Sequence, residues 1–476
     1  MNFFRRNLPI LNSVGVVALV AGIISSLRSD SVAAQPNLSG DWPTYGNGPA
    51  HTGYFPGRLN GCPFALKWTK TISGPYLWQT AIAGGRVYLS VGYYYSATTL
   101  RALDANTGAG IWTNNLAALA SVSPPTYDSG VLFLEQGNSA AVGNYSYISS
   151  YDATTGNTNW AFPFISQSYR YPAPVVGGGM VFADTGYYHG LTGLDRNFGG
   201  QQWFVQLGGS EQWAPAYYNG KVYTWLGSFT EWDPFTGNPN WTVTNGLAGA
   251  ASTRTVAIAN NRAYFIGNQL YCVDLGTKTN AWAVAGSFSG TPAVANGIVY
   301  AISGKTVSAY TTNGVFVRTY DTPTYYEAFT GQLIVTDDVL IVDGAYGAYV
   351  YNLADGRILQ LISSLGPGFI YYSFAISLAS NTLYLAGGDG NLYAYAATPT
   401  SDITLRNFSK SGNGQFQLGF TNTPGASFSV LASTNIASPA SWTSLGQATE
   451  ISPGQYQFTD SQAVTNSRRF YRISSP

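Results

Sequence analysis

Two histidines, two cysteines and 22 carboxylate side chains are all that this 476-residue chain holds for nucleophilic, acid–base or metal chemistry. Their spacing builds none of the usual constellations. No Gly-x-Ser-x-Gly elbow, His-Glu-x-x-His pair or Gly-x-x-x-x-Gly-Lys-Ser/Thr loop occurs, so the common hydrolase, metalloprotease and nucleotide signatures fail. Cys62 and Cys272 are too few for a disulfide framework and wrongly spaced for a metal knuckle or an attached haem, and they are expected to stay unbonded. His51 lies in an N-terminal segment and His189 at a Tyr-Tyr-His hairpin tip; both read as structural or exposed. Most of the aspartates fall in repeated turns, where they cap their own backbone. No catalytic residue and no metal ligand is expected.

Rings are abundant instead: Tyr 35, Phe 24 and Trp 12. Some stand at or near the start of loops that should surround one mouth of an axial channel, namely Trp78, Tyr171, Trp213, Tyr326 and Tyr372, with Arg254 and Glu327 adding charge. Flat rings with polar edges suit sugars, flat cofactors or peptide strands, although rings in such places equally cover packing between sheets. These seven residues are the expected ligand-binding set, for a glycan, peptide or protein partner. The 22 basic residues balance the 22 acidic ones and form no run, which excludes the footprint of a nucleic-acid binder. A monomer is expected.

The elements that must carry these residues are strands. A signature of turn residue, any residue, aliphatic, aromatic recurs at Gly85–Tyr88, Gly130–Phe133, Gly179–Phe182, Gly220–Tyr223 and Gly297–Tyr300, with weaker copies ending at Tyr264, Ile341 and Tyr384. The period is about 42 residues. In phase with it runs a second pattern of Asp, Gly four residues on and Trp four later: Asp104-Gly108-Trp112, Asp152-Gly156-Trp160, Asp195-Gly199-Trp203 and Asp233-Gly237-Trp241. Asp caps a hairpin turn, Gly accepts positive φ, and Trp opens the last strand of the unit. Four short strands per period form a sheet that cannot bury both faces alone, and radial stacking of such sheets makes a β-propeller. The last repeat is one strand short, whereas Phe64–Trp68 stands unclaimed ahead of the first, so the N-terminal strand should complete the eighth blade.

Residues 41–54, Asp41-Trp-Pro-Thr-Tyr-Gly-Asn-Gly-Pro-Ala-His-Thr-Gly-Tyr54, together with the Asp-x-x-Thr-Gly-x-x-x-Trp repeats, resemble the pyrroloquinoline-quinone (PQQ)-like propeller family over about residues 41–397. The resemblance implies an all-β, eight-bladed propeller and little about function, because the family spans quinoprotein alcohol dehydrogenases, an outer-membrane assembly scaffold and proteins that bind no quinone. A PQQ-dependent oxidoreductase is the alternative it raises. Such an enzyme needs a calcium-type ion, an Asp base and a vicinal disulfide over the cofactor. Adjacent cysteines are absent and the chain is short for that branch, so neither PQQ nor calcium is expected.

The two ends read differently. Residues 1–34 carry Arg5-Arg6, an apolar stretch from Val14 to Ile24 and small residues before Gln35, the pattern of an export signal. A mature chain with no integral membrane segment follows from that, placed in the periplasm, at the cell surface or outside the cell. Residues 35–60 form an extension, 61–397 the propeller, and 398–476 a C-terminal β-sandwich module with strands near 416–420, 427–433, 442–445, 456–459 and 469–473.

Overall fold

The computed structural model describes residues 16–18 and 36–474 except 73–76, 139–144, 167–171, 209–212, 249–254, 323–328, 345–346, 364–375, 399–404, 423–427, 436–441 and 467. It is an all-β chain of two compact units. The larger comprises residues 37–59 and 64–397. Its sheets are antiparallel meanders of four strands, six of them separate and two more joined in one eight-stranded sheet. The third repeat shows the plan: Val175–Gly177, Met180–Thr185, Gly190–Asp195 and Gln201–Gln206 pair in sequence order. The first and second repeats merge because the long strand Gly110–Val122 runs on to pair with Val131–Gly137, Ser121 opposite Gly137. The last repeat supplies only Ile376–Ala379, Thr382–Ala386 and Asn391–Ala397. Its fourth strand is Phe64–Thr71, paired with Asn391–Ala397 so that Thr69 faces Tyr393, as the unclaimed strand required.

In the first five repeats the turn is built by its aspartate. Asp104 accepts from the amides of Asn106 and Thr107 and from the Thr107 hydroxyl at 2.8–3.0 Å, and Asp152 and Asp233 repeat the pattern at their own turns. The Thr107 hydroxyl and the backbone amides hold the Asp104 carboxyl below the usual range. In five of the turns the glycine then receives the tryptophan of the repeat before it. Trp112 lies against Gly156, Trp160 against Gly199, Trp203 against Gly237 and Trp282 against Gly314. Each indole N–H also donates to a carbonyl of that next turn: Trp112 to Ala153 at 3.2 Å, Trp160 to Arg196 at 3.1 Å, Trp203 to Pro234 at 2.9 Å and Trp282 to Thr312 at 2.8 Å. Trp68, on the strand that completes the last repeat, docks on Gly108 and donates to Ala105 at 3.2 Å, which joins the last repeat to the first.

The signature aromatics fill the space behind the tryptophans. Tyr88, Phe133, Phe182, Tyr223, Tyr264 and Tyr384 are buried, and each lies with its ring centre 5.9–6.4 Å from the tryptophan of its own sheet. A tryptophan is therefore held between its own repeat and the next. Apolar clusters bridge neighbouring repeats, as where Phe133, Ile148, Val181, Ala183 and Leu194 meet. Cys272 faces Trp282 and Tyr264 across its strand, and burial pushes its thiol up to about 12. It forms no disulfide with Cys62, which is also buried.

The smaller unit includes residues 60–63, the chain from 398 onward and the short strand Val16–Ala18. Leu405–Lys410, Phe416–Thr421, Gln455–Asp460 and Thr449–Ser452 form one antiparallel sheet. Ser429–Ser433, Thr443–Gln447 and Phe470–Ser474 form a second, and Val16–Ala18 pairs with its Phe470–Arg472 edge. Leu418, Phe420, Phe428, Val430, Tyr456 and Ile473 from both sheets share one core.

The interlock makes Gly156 doubly constrained: its φ is +77° and a Cβ there would lie 2.6 Å from the Trp112 ring, whereas Gly130, at φ +84°, has open space. Left-handed backbone costs an alanine about 1–2 kcal/mol and overpacking about 1–3 kcal/mol more. Urea denaturation should therefore find G156A clearly less stable than G130A, and equal losses would show that the tryptophan gives way freely. A thiol reagent should label both cysteines only after unfolding, and rapid labelling of Cys272 in native protein would contradict its packing.

Candidate functional site

The chain closes one end of the larger unit itself. In a two-residue hairpin the flanking pair exchanges both hydrogen bonds, so the next residue of the first strand turns its N–H and C=O away from its own sheet. Residues 37–59 run past these free edges and cap them. Ser380 donates to the Gly40 carbonyl, Ile82 to Trp42, Tyr127 to Pro43, Tyr217 to Pro49, Ile258 to Ala50, Val294 to Thr52 and Val335 to Gly53, at 2.7–3.1 Å. The segment thus visits the last, first, second, fourth, fifth, sixth and seventh repeats in chain order. Pro43 and Pro49 suit this role, since they offer a carbonyl without an N–H to satisfy. His51 is buried in the same segment, its Nδ1 2.9 Å from the Tyr45 carbonyl and its Nε2 2.9 Å from the Pro215 carbonyl, and burial lowers its proton affinity.

The opposite end is where the first strands are entered. There the second strands place, two residues beyond each signature aromatic or aliphatic, Ser90, Glu135, Asp184, Trp225, Ile266, Ile302, Asp343 and Ala386. Hydrogen bonds from the Trp78 amide to the Ser90 carbonyl and from the Ser123 amide to the Glu135 carbonyl fix these positions beside the entrance to the first strands. Three are carboxylic acids no more than 1% exposed: Glu135, Asp184 and Asp343. Asp184 accepts from the Gly190 amide at 3.2 Å and lies 2.7 Å from His189 Nδ1. His189, at φ +64°, turns inward from the hairpin tip, whereas Tyr187 and Tyr188 project outward, 45% and 62% exposed, their rings edge to face at 4.8 Å.

Burial pushes the Glu135 carboxyl well above the usual range, and the nearby Asp184 charge adds to the effect. Burial thus favours the proton-bearing form of Glu135, beside an Asp–His pair. A hard divalent cation needs several ionised oxygens. Asp184 is already engaged by an imidazole, and among the described residues no group of three His, Cys, Asp or Glu comes together.

The expected ligand-binding set is not assembled from what the structure describes. Trp78 is 7% exposed, donates to the Gly92 carbonyl at 3.1 Å and packs with Tyr45 and Tyr88; Trp213 is 1% exposed among Phe182, Trp203 and Trp232. Neither offers a ring face to solvent, because each fills the seam between neighbouring sheets. Tyr171, Arg254, Tyr326, Glu327 and Tyr372 lie outside the described residues. The carboxylates were missed because aspartates were assigned to turns. The signal for them was the register: counting by twos from Phe133 and Phe182 puts an acid on the buried side of an otherwise apolar strand.

The proton on Glu135 makes stability depend on pH. The folded state holds a proton that the unfolded chain releases, so stability is full below the unfolded carboxyl pKa and is lost as pH rises toward the folded one. Gln keeps the shape of the neutral acid. E135Q should melt with the parent near pH 4 and above it at pH 8, and a difference that is the same at both pH values would show that Glu135 is not the titrating group.

No curated protein matches the chain. The family described as outer membrane protein assembly factor BamB matches residues 96–311. Among solved structures, BamB from Moraxella catarrhalis is 17% identical, with 70% of this chain and 98% of that one covered at a TM-score of 0.56. A quinohemoprotein alcohol dehydrogenase from Comamonas testosteroni is 12% identical over 78% of this chain and 83% of its own, TM-score 0.56, and a europium-containing methanol dehydrogenase 12% identical over 75% and 98%, TM-score 0.53. Likeness at these identities concerns the fold alone, and the names divide between an assembly factor and dehydrogenases. With the phased repeats and the meander sheets, these matches support a PQQ-like β-propeller fold for the repeat body of the chain.

Proposed function

We propose that the chain is an exported, non-catalytic scaffold: an eight-bladed propeller that presents its entrance end to a peptide or protein partner, with a small C-terminal β-sandwich as accessory module. The observation that carries this reading is the asymmetry of the two ends. Residues 37–59 cap one end through backbone hydrogen bonds, while the other displays the Tyr187–Tyr188 pair above a buried Asp–His contact. Amphipathic rings held at a rigid hairpin are the usual anchors of protein interfaces. The repeat spacing of the sequence predicts Tyr171, Arg254, Tyr326, Glu327 and Tyr372 around the same mouth. The BamB likeness favours a protein over a small molecule as partner, and Asp184, already engaged by His189, is poorly placed to serve the calcium of a quinone site.

Native mass spectrometry of the exported protein tests this reading. A peptide or protein adduct is expected, and it should be lost when Tyr187 and Tyr188 are both replaced by alanine. Added PQQ and calcium should give no dye-linked alcohol oxidation. A quinone adduct, or turnover that depends on the quinone, would overturn the proposal.

A further inference from the structure

The cap formed by residues 37–59 has one gap. Seven repeats give an amide of the first strand or its turn to a carbonyl of the segment; the third does not. Its equivalent residue is Val176, opposite Val181 in a hairpin whose flanking pair is Gly177 and Met180, so the Val176 N–H and C=O point away from their own sheet like those of Ile82 and Tyr217. Neither group has a hydrogen-bond partner among the described residues.

Local turns explain the omission. Asn47 donates to the Thr44 carbonyl at 3.1 Å, His51 to Gly48 at 3.0 Å and Gly53 to Gly46 at 2.8 Å, which ties residues 44–48, the stretch between the second- and fourth-repeat contacts, into local turns with residues 51 and 53. Tyr45 is carried away toward the sixth repeat, where its hydroxyl donates to Thr291 at 2.7 Å. A cleft of about 290 Å³ remains between the segment and the second and third repeats, lined by Val176, Pro43, Pro49, Tyr127, Asp41 and Asp128.

Its charge is defined. Asp128 is held by Arg196, through both the carboxylate and the backbone carbonyl. Asp41 is exposed and takes only the Gly84 amide at 3.3 Å, with no ion pair among the described residues. One uncompensated carboxylate therefore sits on the rim of a cleft whose wall is an open backbone edge.

We propose that this cleft binds an extended peptide segment with a lysine or arginine side chain. The peptide backbone pairs with Val176, as residues 37–59 pair with the equivalent residue elsewhere, and the cation meets Asp41. A backbone edge selects an extended chain, because alternating donors and acceptors match it, and the volume is at the small end for ligand sites, enough for a residue or two. This site lies at the end opposite the displayed tyrosines, so it stands or falls separately from the scaffold reading.

Hydrogen exchange and fluorescence polarisation on the full chain test it, with a blocked, labelled Ala-Ala-Lys-Ala-Ala peptide and its norleucine counterpart as probes. In the free protein the Val176 amide should exchange faster than those of Tyr127, Tyr217 and Ile258. The lysine peptide should slow it and bind about two- to fivefold tighter than the norleucine peptide, the range for one exposed ion pair, and D41N should abolish that preference. D41N alters one exposed side chain, and its melting temperature confirms that it folds. Protection of Val176 in the free protein, binding that leaves its exchange unchanged, a lysine preference that survives in D41N, or no binding at millimolar peptide would each overturn the proposal.

Discussion

The contact between a tryptophan and the turn glycine of the following repeat carries the architecture. A four-stranded meander exposes two apolar faces and cannot be stable alone, so each sheet depends on being held to its neighbours in one register. Trp112 on Gly156 shows how this is done: the ring covers a position where no Cβ fits, and the indole N–H fixes the angle by bonding a carbonyl of the same turn. Geometry and polarity are satisfied by one side chain. The aspartate that shapes the turn and the aromatic that backs the tryptophan serve the same contact. In the first repeats all four elements are kept, and where Trp is replaced, as at Arg318 four residues after Gly314, the arginine lies against Gly356 of the following turn and the neighbouring aromatic packing passes to Tyr320 and Tyr351.

Polar groups are distributed by what can satisfy them. The backbone edges left by the first strands are met by other backbone, from residues 37–59, with almost no side-chain charge involved. The entrance end instead buries acids in the seams, where burial favours the protonated form of Glu135 and Asp184 is bound by histidine. Buried acids in neighbouring repeats set a local cost that the apolar residues at the same register, Trp225, Ile266 and Ile302, do not carry. That unequal cost marks the second and third repeats as chemically distinct within a repeating frame.

The fold was legible because its signals are periodic and local. Spacing alone gave the four-strand unit, the turn that Asp104 and Gly108 build and the partner strand for Asn391–Ala397, since each depends on residue types a fixed distance apart. The candidate site was less legible. Trp78 and Trp213 were read as displayed because they sit near loop ends, yet whether a ring near a loop faces inward depends on the neighbouring sheet, which periodicity does not specify. Asp184 and Asp343 were hidden by a turn role extended to aspartates that lie in strands, and Glu135 carried no motif to mark it. The path of residues 37–59 had no sequence signal beyond its prolines and glycines, because backbone bonds to seven different repeats leave no mark on side-chain choice.

The position of the closing pieces has a consequence for how the chain reaches its native state. Gly40 bonds Ser380, and Phe64 pairs with Ala397, so the elements that complete the fold join residues more than 300 apart. Contacts of such sequence separation are late and slow to form, since loop-closure entropy must be overcome before they stabilise anything. The strand made first must stay unpaired until the last repeat is available, and meanwhile the growing array carries an open sheet edge with few charges to guard it. Assembly is therefore limited by the meeting of the two ends, and the interval before that meeting is when the protein is most exposed to misassociation with other chains.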